Sequence, residues 1–459
     1  MSKLMKVPRQ VFKSYDIRGL VSQELTVDFA HGLGRAIVTL LAKETGKAHP
    51  TVVVGRDMRV TSVDYEQALV HGLTEGGATV QRIGLVSTPA FYFGVSHLKA
   101  DGGVQVSASH NPAAYNGFKM VRRGAEAMSG ATGIQELADI MEKESFVTAD
   151  RPGSVEEVFG IADLHVDSEI AFARVGEIPA FSIIADSANG MGAQYLDDLF
   201  KVYDDFKVER MYWEFDGSFP NHEADPFKAE NTRDLCARVV SAKADLGVAT
   251  DGDGDRIFFV DDTGEVVEPA IIRGLVARAI LRRYPGATIA YDVRPGKITE
   301  DMIVESGGKP LVTKVGHALI KAEMKKTGAV FAGESSGHFY MAMPEGTYEA
   351  PVATMLIVLG EMVRENKKLS EIIAPLKKYS HSGEINFHVE DKAGAIARVK
   401  DRFKDGKITE LDGLSIEYPD YWFNIRMSNT EPLLRLNLEA KNKATMEKMR
   451  DELEGIIRG

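Results

Sequence analysis

Asp251-Gly252-Asp253-Gly254-Asp255-Arg256 sets three carboxylates in alternation with two glycines, and an arginine follows at once. Three such charges held close together repel one another unless a cation sits between them. Hard oxygen ligands in this pattern suit a hard divalent ion, Mg²⁺ or Ca²⁺. The glycines let the backbone curl enough to turn the carboxylates inward. The arginine suits a metal whose other partner is an anion such as a phosphate. An EF-hand calcium loop needs glycine at its sixth position and glutamate at its twelfth, where this chain has Arg256 and Asp262. Residues 244–250 and Ile257–Val260 read as short buried strands, so the acidic loop lies at a strand end, where α/β folds gather ligands. The plainer alternative is a solvated acidic turn, which has no need of three alternating aspartates.

At 459 residues the chain has the length of about three or four domains. Its apolar content of 44% allows substantial cores. A net charge of −12, with no basic patch interleaved with aromatics, argues against nonspecific nucleic-acid binding. The single cysteine, Cys236, excludes an intrachain disulfide; it falls in a helical stretch and reads as a core residue. The N-terminal residues have no long apolar core and no small-residue cleavage signal, and no apolar run is long enough to span a bilayer. The expectation is a soluble cytoplasmic protein, without nucleic acid or membrane partners, as a monomer or weak homodimer.

One loose pattern recurs three times. Thr51-Val52-Val53-Val54 runs into Gly55-Arg56-Asp57, residues 181–185 run into Asp186, and residues 287–291 run into Asp292-Val293-Arg294. Each is a β-branched run ending in a charged turn and followed by helical periodicity. Residues 384–389, 421–426 and 434–439 read as strands and 395–403 and 443–457 as helices, the last strand alternating apolar and polar as a half-exposed strand would. The predicted fold class is α/β: three similar α/β domains with mixed sheets, then a smaller C-terminal α+β domain. The borders fall at 1–151, 152–256, 257–375 and 376–459, with Arg151-Pro152-Gly153-Ser154 as the linker signal.

Three further loops carry chemistry. In Ser107-Ala108-Ser109-His110-Asn111-Pro112, Ser109 and His110 are neighbours, and in extended backbone such side chains point apart, so adjacency makes no hydrolase pair. A phosphorylated serine here would carry close to two negative charges for the metal and the arginine to hold. An Asn-Pro turn with a capping serine fits the same residues. Gly333-Glu334-Ser335-Ser336-Gly337-His338 offers a carboxylate suited to a vicinal diol, or else a polar turn. Gly316-His317 opens a helix containing Lys321, where a histidine is more often structural. In Arg426-Met427-Ser428-Asn429-Thr430-Glu431-Pro432, arginine, hydroxyls and an amide converge as a nest for a phosphate monoester, or as a simple hairpin turn.

Taken in this order, the S-A-S-H-N-P, D-G-D-G-D-R, G-E-S-S-G-H and S-N-T-E-P loops resemble the α-D-phosphohexomutase superfamily over essentially the whole chain. Tyr15-Asp16-Ile17-Arg18-Gly19 and Tyr115-Asn116-Gly117-Phe118-Lys119 look like family elements too. The resemblance implies four domains around a central active-site cleft. It implies a phosphoserine at Ser109, Mg²⁺ held by Asp251, Asp253, Asp255 and a phosphoserine oxygen, and charge offset by Arg18 and Arg256. Lys119 becomes the candidate acid/base, with His110 beside the reacting oxygen. Glu334 and Ser336 would hold sugar hydroxyls, and Arg426, Ser428, Asn429 and Thr430 the phosphate that is not reacting. Tyr15, Arg294 and His317 complete the implied substrate contacts. The implied reaction interconverts hexose 1-phosphate and hexose 6-phosphate through a 1,6-bisphosphate, which also serves as activator. S-N-T in the last loop looks like the phosphomannomutase/phosphoglucomutase group, where phosphoglucosamine mutases more often show S-G-T. Arg294 stands where many relatives have lysine, and Gly346-Thr347-Tyr348-Glu349-Ala350-Pro351 departs from the usual acidic-glycine pattern. The competing readings are phosphoglucosamine mutase activity and a noncatalytic sugar-phosphate- or calcium-binding protein.

Overall fold

The computed structural model describes residues 7–294, 296–428 and 433–459. Two compact units emerge: Met1–Val267 with Gly337–Leu369, and Glu268–Ser336 with Ser370–Gly459.

The first unit begins with a seven-stranded mixed sheet. Strand Thr51–Arg56 pairs in parallel with Thr79–Leu85 and Gly102–Val106. Gly102–Val106 runs antiparallel to Tyr115–Arg122, which pairs with Ile17–Leu20. Strands clothed on both faces need apolar side chains at every position, and Val52, Val53, Val54, Val104 and Val106 are all fully buried. Helix Val27–Thr45 packs Leu33, Ile37 and Leu41 into the same core. Its start is fixed by the Thr26 hydroxyl, which accepts from the Phe29 N–H at 3.1 Å, and its end by left-handed Gly46 at φ +70°.

A second, four-stranded sheet centres on Leu246–Thr250, parallel to Ser182–Asp186 and antiparallel to Ile257–Val260. Two strands therefore cross the borders drawn from sequence. Ser154–Glu157 joins the first sheet beside Thr79–Leu85, and Ile257–Val260 joins the second. The expected linker is tied down, since the Gly153 N–H donates to the Thr74 carbonyl at 2.8 Å. A strand's backbone groups need partners, so hydrogen bonding draws the border outward from where composition changes. Cys236, expected in the core, is only half-buried, at the margin of the cluster formed by Leu235 and Val239.

In the second unit Thr288–Asp292 lies between Lys309–Thr313 and Phe331–Gly333, all parallel. The C-terminal part is an antiparallel sheet in the order Ser380–Phe387, Leu434–Ala440, Tyr421–Met427, Leu414–Glu417, Lys407–Thr409. Helices Lys392–Arg402 and Lys443–Arg458 cover one face with Val399, Leu453 and Ile457. Leu434–Ala440 is not half-exposed as its alternation predicts. Asn437 and Glu439 are buried, because Glu439 accepts hydrogen bonds from Trp422 Nε1 at 2.7 Å and from the Lys297 N–H at 3.2 Å. Among the described residues, no helix is long and apolar enough to cross a membrane.

Candidate active site

In the first unit, the Ser109 loop leaves the end of Gly102–Val106 and the acidic loop leaves the end of Leu246–Thr250. The two loops meet. Ser109 Oγ donates to Asp251 Oδ2 at 2.8 Å. Glycine at 252 is required, since a Cβ there would lie 2.5 Å from the Ser109 carbonyl oxygen. Gly254 takes φ +77°, which glycine alone adopts without strain.

Ser109 itself sits at φ +50°. The extended-backbone expectation for this serine therefore fails. The left-handed turn brings His110 Nδ1 to 3.1 Å from Ser109 Oγ, where extended neighbours would diverge. A non-glycine residue in this region costs about 1 kcal/mol or more, and such strain gathers at functional sites. Arg59, which sequence reading missed, locks the turn: its guanidinium donates to the carbonyls of Ser109 at 2.7 Å and Tyr115 at 2.9 Å. The signal for it was slight, one arginine two residues past the Gly55-Arg56-Asp57 turn. Thr88 was missed as well; its hydroxyl donates to Asp253 Oδ2 at 2.5 Å.

Asp251, Asp253 and Asp255 each present an oxygen within 4.8 Å of the other two, and all three are buried. Lys119 lies between two of them, its Nζ 2.6 Å from both Asp253 Oδ2 and Asp255 Oδ2. It reaches there from Tyr115–Arg122, paired opposite Gln105. Arg18 bonds Asp16 and Asn111 Oδ1, each at 2.7 Å. Arg256 bonds Asp225 at 3.3 Å, and its backbone N–H donates to Asp251 at 3.2 Å. His338, on the expected sugar loop, lies 3.2 Å from Asp255 Oδ1. Tyr15 is half-buried.

Burial lifts the Asp251 carboxyl well above its ordinary range, helped by the charges of Asp255 and Asp253. Burial works the same way on Asp255, but Lys119 and His338 outweigh it and hold the group well below that range. For Lys119, burial opposes the charge, yet Asp253 and Asp255 keep the ammonium protonated well above the ordinary value. Burial first, then Arg256 and Arg18, push His110 well below its ordinary range, so its imidazole is neutral. The site fits a hard divalent cation: three carboxylates crowd one position, and Asp253 Oδ1 is buried without a hydrogen-bond partner among the described residues.

The second unit gathers a different set. Tyr291 pairs with Gly333 across adjacent parallel strands, so the loops that follow leave the same sheet edge. Arg294 and Glu334 thereby meet at 3.1 Å. Asp292 accepts from Arg294 Nε at 3.0 Å and from the Ser335 N–H at 2.9 Å. Burial opposes the Asp292 charge, but Arg294 and Arg273 hold its carboxyl below the ordinary range. Arg426 is buried, donates to Glu384 Oε2 at 3.0 Å, and lies opposite Arg435, which reaches Glu384 Oε1 at 3.1 Å. Arg426 Nε has no partner among the described residues. Burial and the Arg294 charge disfavour its cation. His317 opens helix His317–Thr327 and Lys321 is buried within it. Ser336 and Ser428 are half-buried; Asn429 and Thr430 lie outside the described residues. Asp292 lay in a recurring charged turn but was not named as a site residue, and Glu384 and Arg435 were not foreseen, because nothing in their neighbours distinguishes them from strand-edge charges.

Family models for phosphoglucomutase/phosphomannomutase alpha/beta/alpha domains I, II and III match residues 9–148, 165–264 and 269–379, and the C-terminal domain model matches 384–456. A phosphomannomutase of Vibrio cholerae is 37% identical over 97% of this chain and 98% of its own length. A phosphoglucomutase of Neisseria gonorrhoeae is 34% identical over 99% and 98%. The crystal structure of a phosphoglucomutase/phosphomannomutase family protein from Burkholderia thailandensis superimposes with a TM-score of 0.90 at 32% identity, covering 99% of this chain and 98% of that one. The chain belongs to the phosphoglucomutase/phosphomannomutase family, and is an isomerase of hexose phosphates.

Proposed function

We propose that the chain interconverts hexose 1-phosphate and hexose 6-phosphate, with mannose and glucose both accepted, through a phosphoserine at Ser109 and a hexose 1,6-bisphosphate. The observation that carries the reading is Ser109 Oγ, strained and 2.8 Å from Asp251 in a cluster of three buried carboxylates. Names of both kinds among full-length relatives support the two sugars.

Asp251, Asp253, Asp255 and a phosphoryl oxygen on Ser109 would hold Mg²⁺. That ion would supply charge neutralisation at the transferring phosphoryl. This chain's own groups do the rest. The bond from Ser109 Oγ to phosphorus breaks as a sugar oxygen bonds to that phosphorus, and the sugar hydroxyl's proton is relayed to Ser109 Oγ, which leaves as the free hydroxyl. Neutral His110, 3.1 Å from Ser109 Oγ, is placed to move a proton at that oxygen. Lys119 is the candidate acid/base and, while protonated, a fixed positive charge to which Arg18 and Arg256 add. Glu334 and Ser336 take the sugar hydroxyls, with Tyr15, Arg294 and His317 as further contacts. Arg426, Ser428, Asn429 and Thr430 take the other phosphate. The bisphosphate then turns end for end and returns its second phosphoryl to Ser109. Hydroxyls at C3 and C4 are nearly equivalent after the turn, so the C2 epimer goes unread.

Four domains, the first extended to take in Ser154–Glu157 and the second to take in Ile257–Val260, would each contribute one of these loops. The reading is of a cytoplasmic enzyme, in keeping with a net charge of −12 and one cysteine. Phosphorus NMR with mannose 1-phosphate, Mg²⁺ and a trace of hexose 1,6-bisphosphate tests the proposal. Conversion to the 6-phosphate by wild type and not by Ser109→Ala is the expected result. Equal conversion by both would end the phosphoserine reading.

A further inference from the structure

Away from that chemistry, helices Val27–Thr45 and Ser62–Glu75 cross at their glycines. A Cβ on Gly72 would overlap the His31 carbonyl oxygen, and one on Gly34 would overlap that of Leu69. The close approach sets His31 beside His71, with ring centroids 4.9 Å apart. Glu75 follows His71 by four residues, so both side chains leave the same helix face. Its Oε2 lies 2.7 Å from His31 Nε2. One nitrogen of each imidazole and one oxygen of Glu75 all fall within 4.8 Å of one another.

The surroundings support ligation. Arg35 NH1 holds the other oxygen of Glu75 at 3.3 Å, and the guanidinium is itself seated 4.4 Å over the Phe146 ring. This fixes the carboxylate with Oε2 toward the histidines, as outer partners of metal ligands do. His31 and His71 open onto a cup that Asp28 and Asp64 also line, which favours the approach of a cation and leaves room for water.

We propose that His31, His71 and Glu75 form a second metal site, for a divalent ion of zinc's class with water in its remaining positions. Two imidazoles and a carboxylate suit Zn²⁺, Co²⁺ or Ni²⁺, whereas Mg²⁺ prefers oxygen alone. An ion there ties the first helix to the second, and its binding stabilises the folded chain by mass action.

The test uses tag-free full-length protein with Mg²⁺ in excess to fill the acidic centre. Zn²⁺ is titrated against a chromophoric chelator for wild type, His71→Ala, Glu75→Gln and the His31→Ala/His71→Ala double variant. Wild type takes up one Zn²⁺ that the double variant lacks, and His71→Ala weakens it by about ten-fold or more. Zinc raises the melting temperature of wild type and not of the double variant, while turnover with Mg²⁺ alone is the same in both. Glu75→Gln keeps both imidazoles and binds more weakly, which guards against loss of zinc through misfolding of the double variant. Equal zinc uptake by wild type and the double variant, or none by wild type, overturns the site.

Discussion

Around Ser109, two of three buried aspartates meet the ammonium of Lys119; around Arg426, the cations of Arg294, Arg426 and Arg435 meet the carboxylates of Asp292, Glu334 and Glu384. Among the described residues, the first centre leaves a buried carboxylate oxygen unanswered, at Asp253, and the second a guanidinium nitrogen, at Arg426. The second is largely paired within itself. An anionic cluster of the first kind depends on an added cation before it can take a phosphoryl group. A paired cluster of the second kind binds a phosphate by exchanging one charge-assisted hydrogen bond for another, at small net cost. On the proposed roles, loss of a residue stops chemistry in one centre and weakens binding in the other.

The largest effect expected is in the first centre. Ser109→Ala lowers kcat to below about a thousandth of wild type even with added bisphosphate, followed by phosphorus NMR. Removal of divalent ions by a chelator has a similar effect, and Mg²⁺ restores turnover. Restoration that fails after Mg²⁺ is returned would break the comparison. Next comes Arg426→Gln, which removes one of the two cations that hold Glu384 and, with it, a proposed phosphate contact. A hydrogen bond to a charged group contributes roughly 1.5–3 kcal/mol, so KM for the sugar phosphate rises by at least about ten-fold while kcat changes less. A fall in kcat with KM unchanged would assign Arg426 to the transition state instead. Gly252→Ala forces a Cβ against the Ser109 carbonyl oxygen and costs about 1–3 kcal/mol of stability, read as a lower urea midpoint, with reduced kcat. The smallest effect lies outside both centres. Glu268 lifts the His381 imidazole above its ordinary range. A raised value means stability that is fully present below the unfolded value of about 6.5 and lost as pH rises through the folded one. His381→Gln therefore lowers the melting temperature more at pH 6 than at pH 9. An equal drop at both would show a loss of packing and not of charge.

The two centres also differ in how far they could be read in advance. The acidic loop is contiguous, so its chemistry is written in six consecutive residues. Arg294, Arg426 and Glu334 stood out through their loops, and Asp292 lay in a recurring charged turn, but Glu384, which answers Arg426, and Arg435, which shares it, come from separate strands and carried no local mark. The same holds for Arg59, whose target is a set of carbonyl oxygens that no side-chain pattern reports. The strands at Thr51–Arg56, Leu246–Thr250 and Tyr421–Met427 were legible from short runs rich in β-branched, apolar or aromatic residues. Ser154–Glu157 was not, because it is short, charged and exposed, and exists only by pairing with its neighbour.

By itself, then, the amino-acid order determined the elements, the modular α/β class and the identity of the loops, since these depend on residues a few positions apart. Tertiary structure decided the left-handed turn at Ser109, the burial of Glu439 and Asn437, and which arginine answers which carboxylate. Those depend on distances between segments up to 143 residues apart, as between Gly296 and Glu439, and such distances are set by packing, where local pattern has no reach.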